Sequence, residues 1–222
     1  EGTGLFSSGT SAEHGWGVMK RLESAGALAD GFAAGGEYER AWSAASAEIH
    51  AAYPGLALAP QLGLVPLGPD PESGLWEFAD LQSGEPAVRG DDGQLVLLEK
   101  TGLVFVLLPG GTFQMGAQKG DPNGVNFDPQ AAANEGPVHA VTLSAFFLSK
   151  YEMTQGQWLR VEGRNPSMFQ PGGHESGASH TREYPVEFVD WDLATRMLAR
   201  LGLLLPTEAQ WEYAARGGTT TV

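Results

Sequence analysis

From Pro54 onward no apolar stretch runs far before glycine or proline interrupts it. Gly63-Leu-Val-Pro-Leu-Gly68, Ser73-Gly-Leu-Trp-Glu-Phe78 and Leu103 to Leu108, closed by Pro109-Gly110-Gly111, are typical. Glycine opens backbone conformations closed to other residues, and proline removes an N–H donor, so such punctuation favours short strands joined by irregular loops over long regular elements. The chain carries 31 glycines and 14 prolines in 222 residues. Its longest apolar run, Gly102 to Leu108, falls far short of the roughly 20 residues that cross a bilayer as a helix. Apolar residues at 42% still suffice for a buried core. At about 150 residues per domain, the length fits one domain with an attached segment, or two small domains.

The first sixty residues have a different character, rich in alanine and helical in period. Tyr38, Trp42, Ala45, Ile49 and Ala52 recur every three or four residues, which predicts a helix over about Glu37 to Ala52 that ends before Pro54. A second helix is expected over about Gly17 to Ala29, with Val18, Leu22 and Ala25 on one face, and Gly2 to Gly9 reads as a flexible end. Asp91-Asp92-Gly93 between Val88 and Leu95 predicts a tight turn between two strands.

Further along, Thr112 to Met115, Val138 to Leu143 and Phe146 to Lys150 read as strands. Three helices carry their own start signals: Thr154 with Gln157, Asp190 ahead of Trp191, and Thr207 with Gln210. Gly163, Gly202 and Gly217-Gly218 stand where these helices should stop. Strands followed by helices, joined by irregular loops, indicate an α+β chain.

Charge and composition remove several function classes. Twenty-seven acids face 13 bases, a net charge of −14, which repels phosphate backbones and argues against nucleic-acid binding. With no cysteine, these residues hold no disulfide, thiolate metal site or cysteine nucleophile. Nucleotide-binding glycine loops, serine-hydrolase elbows and zinc-protease helices are missing too.

The remaining candidates each have a structural reading beside the functional one. Asp121, Asn123, Asn126 and Asp128 could set four oxygen ligands around calcium, but Asn126 stands where an EF-hand needs glycine, and Asp-Pro and Asn-Gly are also strong turn formers. Glu135 and His139 could form a carboxylate–imidazole pair or make structural hydrogen bonds. His174 and His180 bracket a Gly/Ser loop with no third zinc ligand in view. Trp158, Trp191 and Trp211 line helix faces and are expected in the core. Glu208 and Glu212 lie one turn apart with Arg216 a further turn on, as an exposed ion-pair ladder or as buried anchors for neighbouring loops.

Five motifs occur in order: Gly111-Thr-Phe-Gln-Met-Gly116, Glu135-Gly-Pro-Val-His-Ala-Val141, Phe147-Leu-Ser-Lys-Tyr-Glu-Met-Thr154, Tyr184-Pro-Val-Glu-Phe-Val-Asp-Trp191 and Leu205-Pro-Thr-Glu-Ala-Gln-Trp-Glu-Tyr-Ala-Ala-Arg-Gly-Gly218. Together they resemble the sulfatase-modifying-factor family, that of the formylglycine-generating enzyme. The resemblance implies a C-type-lectin-like α+β fold. Its motif positions are Gly111, Phe113, Met115, Gly116, Glu135, Pro137, His139, Glu152, Thr154, Pro185, Trp191, Pro206, Thr207, Glu208, Trp211, Glu212 and Arg216.

In the catalytic branch of that family two cysteines bind copper(I) and oxidise a peptidyl cysteine to formylglycine. The resemblance places those cysteines, and that branch's calcium ligands, in a carboxy-terminal part of the domain, so copper and calcium are implied only there and no catalytic residue carries over. The expected organisation is a helical connector over 1–60, a small β lead-in over 61–101 and the amino-terminal part of the family domain over 102–222, a piece of a longer bacterial chain. Residues 60–78 resemble the lead-in of multidomain proteins in which this domain follows a serine/threonine kinase. Two functions stay open: oxidation of a peptidyl cysteine in the complete protein, or non-catalytic binding of a protein, peptide or small ligand as a sensor.

Overall fold

The computed structural model describes residues 18–172 and 180–219. Five helices and eight strands follow the chain: α1 (Val18–Phe32), α2 (Glu37–Ala52), β1 (Leu64–Pro69), β2 (Trp76–Asp80), β3 (Val88–Arg89), β4 (Leu95–Val96), β5 (Val104–Leu108), β6 (Gly111–Met115), β7 (His139–Leu143), β8 (Phe146–Ser149), α3 (Gln155–Glu162), α4 (Trp191–Arg200) and α5 (Glu208–Arg216). They form two compact units, one from residues up to Leu107 and from Ser149 to Leu204, the other from Leu108 to Leu148 and from Leu205 onward.

In the first unit β1, β2 and β5 pair antiparallel in that order, with Phe78 opposite Pro66 on one side and Phe105 on the other. α2 lies against β1 with three of the five residues of its predicted apolar face, Trp42, Ala45 and Ile49, fully buried, while Tyr38 is half-buried and Ala52 exposed. The Trp42 ring packs 5.1 Å from Phe78, and its Nε1–H donates to the Leu64 carbonyl at 2.7 Å, so the indole is both packed and satisfied. α1 runs three residues beyond its expected end, and Leu22 is 61% exposed, so the expected face of that helix is not a buried one. Val88 and Arg89 pair with Val96 and Leu95 across the predicted turn.

α3 begins with a full capping box, Thr154 and Gln157 each bonding the other's backbone, and stops at Gly163 in the left-handed region. The Asp190 carboxylate accepts from Leu193 N at 2.7 Å and starts α4. Trp158 is buried as expected, as are Val161, Met197 and Leu201, but Trp191, also expected in the core, is 70% exposed. The Arg200–Glu162 ion pair, at 2.5 Å, holds the far end of α4 against α3. Trp191 stands on the first turn, nine residues and about 13 Å up the axis from that contact.

In the second unit β6 and β7 pair antiparallel over their full length, from Gly111 opposite Leu143 to Met115 opposite His139. α5 has the Thr207–Gln210 capping box and ends at Gly217 in the left-handed region. Tyr213 packs edge-on against Phe113 at 5.4 Å, and its hydroxyl donates to the Gly110 carbonyl at 2.6 Å. Gly110 has φ 76°, and a Cβ there would collide with the Leu143 carbonyl, so the turn into β6 needs glycine. Trp211 is not core: it is 63% exposed. It sits about 200° around the helix from Tyr213, and the Tyr213 side is the one that packs.

Candidate functional site

Two of the family motifs, Gly111–Gly116 and Leu205–Gly218, meet at the end of β6. Glu212 and Arg216, one turn apart on α5, form an ion pair of 2.7 Å with side chains only 19% and 11% exposed. Glu212 Oε1 also accepts the Gly116 amide at 2.8 Å, while Arg216 donates to the Gly116 carbonyl at 3.1 Å and to Asn126 Oδ1 at 3.1 Å. Asn126 returns both its amide hydrogens, to the carbonyls of Gln114 at 2.7 Å and Gly116 at 2.8 Å. It is 1% exposed, with φ 56°, a left-handed conformation that asparagine tolerates better than most residues. The anchoring alternative for this helix is therefore the one realised, with Glu212 in the role considered for Glu208, which is exposed on the first turn. The hydrogen bonds of this cluster bind the 116–126 loop to α5.

The same arrangement engages three of the four residues considered for calcium. Asn126 is buried and occupied by Arg216, Asp121 caps the Asn123 amide at 3.0 Å, and Asp128 caps the Gln130 amide at 2.7 Å. Gln118 organises the same loop, accepting from Gly120 and Asp121. Asp121 and Asp128 thus cap separate turns, while Asn126 ties the loop to β6 and α5. Glu135 and His139 do not pair: Glu135 accepts from the Ala132 amide at 3.1 Å, and His139 Nδ1 lies 2.9 Å from the Pro137 carbonyl on an exposed strand residue. His180 stacks near Phe169 at 5.8 Å and Tyr184 at 5.4 Å, while His174 lies outside the described residues. Thr154 and Pro185 meet through an isolated bridge that fixes the entry to α3, with Glu152 exposed just before it.

The first unit holds a charged cluster that sequence pattern did not reveal. Glu77, 0% exposed, takes Lys150 on Oε1 and Arg89 on Oε2, the latter at 2.7 Å. Lys150 also reaches Asp70 at 2.9 Å. Burial pulls the Lys150 ammonium down, but its hydrogen bonds to Glu77 and Asp70 outweigh that and hold it above the ordinary lysine range. The Lys150 and Ser73 hydrogen bonds hold Asp70 below the usual carboxylate range. Arg160, buried on α3, donates to the carbonyls of Ser83 at 2.9 Å, Thr101 at 2.7 Å and Glu99, and burial lowers its guanidinium to about 10. Asp80 is 3% exposed, with Oδ1 accepting from Gln82 N at 3.1 Å and Oδ2 without a partner, and burial raises its carboxyl. A cleft beside Leu98, Tyr151, Glu152 and Glu183, about 40 Å³, has room for a few waters and no more.

Copper(I) prefers soft thiolate and thioether ligands. The sequence contains no cysteine, and among the described residues no three His, Asp or Glu side chains gather closely enough to hold a metal ion. The cysteine pair that holds copper in the family's catalytic branch therefore has no counterpart among these residues.

The mixed helices and short strands joined by irregular loops are consistent with the C-type-lectin-like fold that the family resemblance implies. Residues 98–221 match the family model of the sulfatase-modifying factor enzyme 1-like domain, and the chain belongs to this family. It is 29% identical over 157 residues to the formylglycine-generating enzyme of Thermomonospora curvata, covering 51% of this chain and 49% of that protein. The inactive C-alpha-formylglycine-generating enzyme 2 of Bos taurus is 29% identical over 158 residues, again 51% of this chain and 49% of the relative. Serine/threonine-protein kinase pkn1 of Chlamydia pneumoniae is 29% identical over 134 residues, 53% of this chain and 20% of the kinase. The chain spans about half the length of the first two relatives. No helix among the described residues is long and apolar enough to cross a membrane.

Proposed function

We propose that these residues form the scaffold and polypeptide-binding part of a formylglycine-generating-enzyme-like domain, whose substrate is a protein or peptide carrying a cysteine to be oxidised to formylglycine. The match over residues 98–221 carries this reading. The thiol chemistry is assigned to cysteines outside the 222 residues, because none of these residues is a cysteine. Titrating the chain with a fluorescent cysteine-containing sulfatase peptide, with copper(I) and oxygen present, is expected to give saturable binding and an unchanged peptide mass. Failure to bind overturns the recognition role. Conversion of the peptide to the aldehyde overturns the assignment of the chemistry to residues elsewhere.

The likeness to an inactive paralogue and to a kinase supports a second reading, a ligand-binding sensor module attached to a bacterial serine/threonine kinase. On that reading the cysteine peptide and its serine analogue bind equally, whereas a domain built for cysteine oxidation prefers the thiol.

A further inference from the structure

The family match begins at residue 98, yet the residues before it fit into the matched residues as a partner would. Strand β2 pairs with β5 over Glu77–Val106, Phe78–Phe105 and Ala79–Val104, and the Asp80 amide donates to the Leu103 carbonyl at 2.9 Å. Glu77, the second residue of β2, is fully buried and takes the ammonium of Lys150, which follows β8 and precedes α3. The Ser83 hydroxyl accepts from Leu103 N at 2.7 Å, and the Ser83 carbonyl accepts from Arg160 on α3 at 2.9 Å. Glu85 and Lys100 join by a backbone bond of 2.9 Å and an ion pair of 2.6 Å. The two strands of chain cross so closely that a Cβ on Gly84 would stand 2.6 Å from Gly102 N.

We infer that residues from about Gly36 to Leu97 are an intramolecular partner of the sulfatase-modifying-factor segment, adding strand β2 to the β5 edge and two carboxylates to the Lys150 socket, so that the cooperative unit begins near α2 and not at residue 98. The physical argument is one of mutual need. Without Glu77 and Asp70, Lys150 loses both its anions, and without Ser83, Arg160 and Leu103 N lose buried partners. Without β2, β5 exposes a row of unpaired backbone groups, the kind of edge that invites strand addition. In return, β1 and β2 alone would be a two-stranded hairpin, marginal in water unless it packs on something. α2 joins the same assembly through Trp42, which holds Leu64 and Phe78. This inference is independent of the proposed function, since it concerns folding and not peptide binding.

Native-state hydrogen exchange on the full chain tests it. The amides of Asp80 and Leu81, on the lead-in side, are expected to exchange within about tenfold of those of Trp158 and Gly163 in α3, because one opening event exposes all of them. Exchange at Asp80 and Leu81 a hundredfold or more faster than in α3 would show a separately unfolding lead-in and overturn the inference. In Glu77→Gln, protection should fall by the same factor in β2 and in α3, and a loss confined to residues before 98 also overturns it. The wild-type measurement stands by itself should the variant fail to fold.

Discussion

Arg216 lies 2.7 Å from Glu212, and the pair grips both backbone groups of Gly116, Glu212 accepting from its amide while Arg216 donates to its carbonyl and to Asn126. One turn of α5 thereby fixes where β6 ends and where the following loop begins. The pair thus gives the geometry of helix and loop a structural reason.

Replacing Arg216 with methionine keeps much of the stem but leaves the Glu212 carboxylate without its cation and Asn126 Oδ1 without its donor. A half-buried pair costs less to break than a fully buried one, and the expected loss is about 2–3 kcal/mol, read from urea unfolding. Arg216→Lys should recover only part, because an ammonium cannot place parallel donors on Gly116 and Asn126 together. Full stability in both variants would refute the anchoring role.

Lys150→Met should cost about 3 kcal/mol, since it leaves the fully buried Glu77 with Arg89 alone. Adding Glu77→Gln to that variant is expected to restore part of the loss, because the double variant no longer buries an undercompensated charge. Strictly additive losses in the double-mutant cycle would mean the two residues are not coupled.

What the sequence disclosed and what it hid follow from range. The capping boxes at Thr154 and Thr207, the Asp190 cap, the α2 face and the Asp91–Gly93 turn are local signals spanning three to sixteen residues, and each appears where expected. Glu77 with Lys150, or Arg216 with Asn126, join residues 73 and 90 positions apart, and no periodicity encodes such a partner. β2 is buried from Glu77 through Asp80, so its residues do not alternate between core and solvent and the buried acid leaves no pattern behind. The fold was legible chiefly through the family motifs. Gly116, Glu212 and Arg216 lie within the family motifs, whereas aspartate and asparagine serve turns and metal sites alike, so pattern alone does not separate the two readings of Asp121 to Asp128.

Asp80 should make the chain less stable as pH rises. An aspartate in an unfolded chain titrates near pH 3.9, and burial raises the folded value above that. The favourable contribution is therefore complete below the unfolded value and is lost as pH climbs through the folded one. Asp80→Asn keeps an oxygen for the Gln82 amide but is neutral throughout. Its urea midpoint should match wild type near pH 3 and exceed it increasingly toward pH 7. Parallel curves across that range would show that Asp80 does not titrate differently on folding.

The three helix-face tryptophans now divide by exposure, which makes a sharp comparison possible. Trp158 is 2% exposed on α3, and its replacement by alanine opens a cavity in the first unit, with an expected cost of about 3–5 kcal/mol. Trp211 is 63% exposed on α5, so Trp211→Ala removes little buried surface and should change the stability of this chain by less than about 1 kcal/mol. Trp191, 70% exposed, belongs with Trp211. Thermal melts of the three alanine variants side by side give the ranking directly, without depending on an absolute scale. A loss at Trp211 as large as that at Trp158 would mean that its ring is covered in solution by something that ordinary contacts of α5 do not supply.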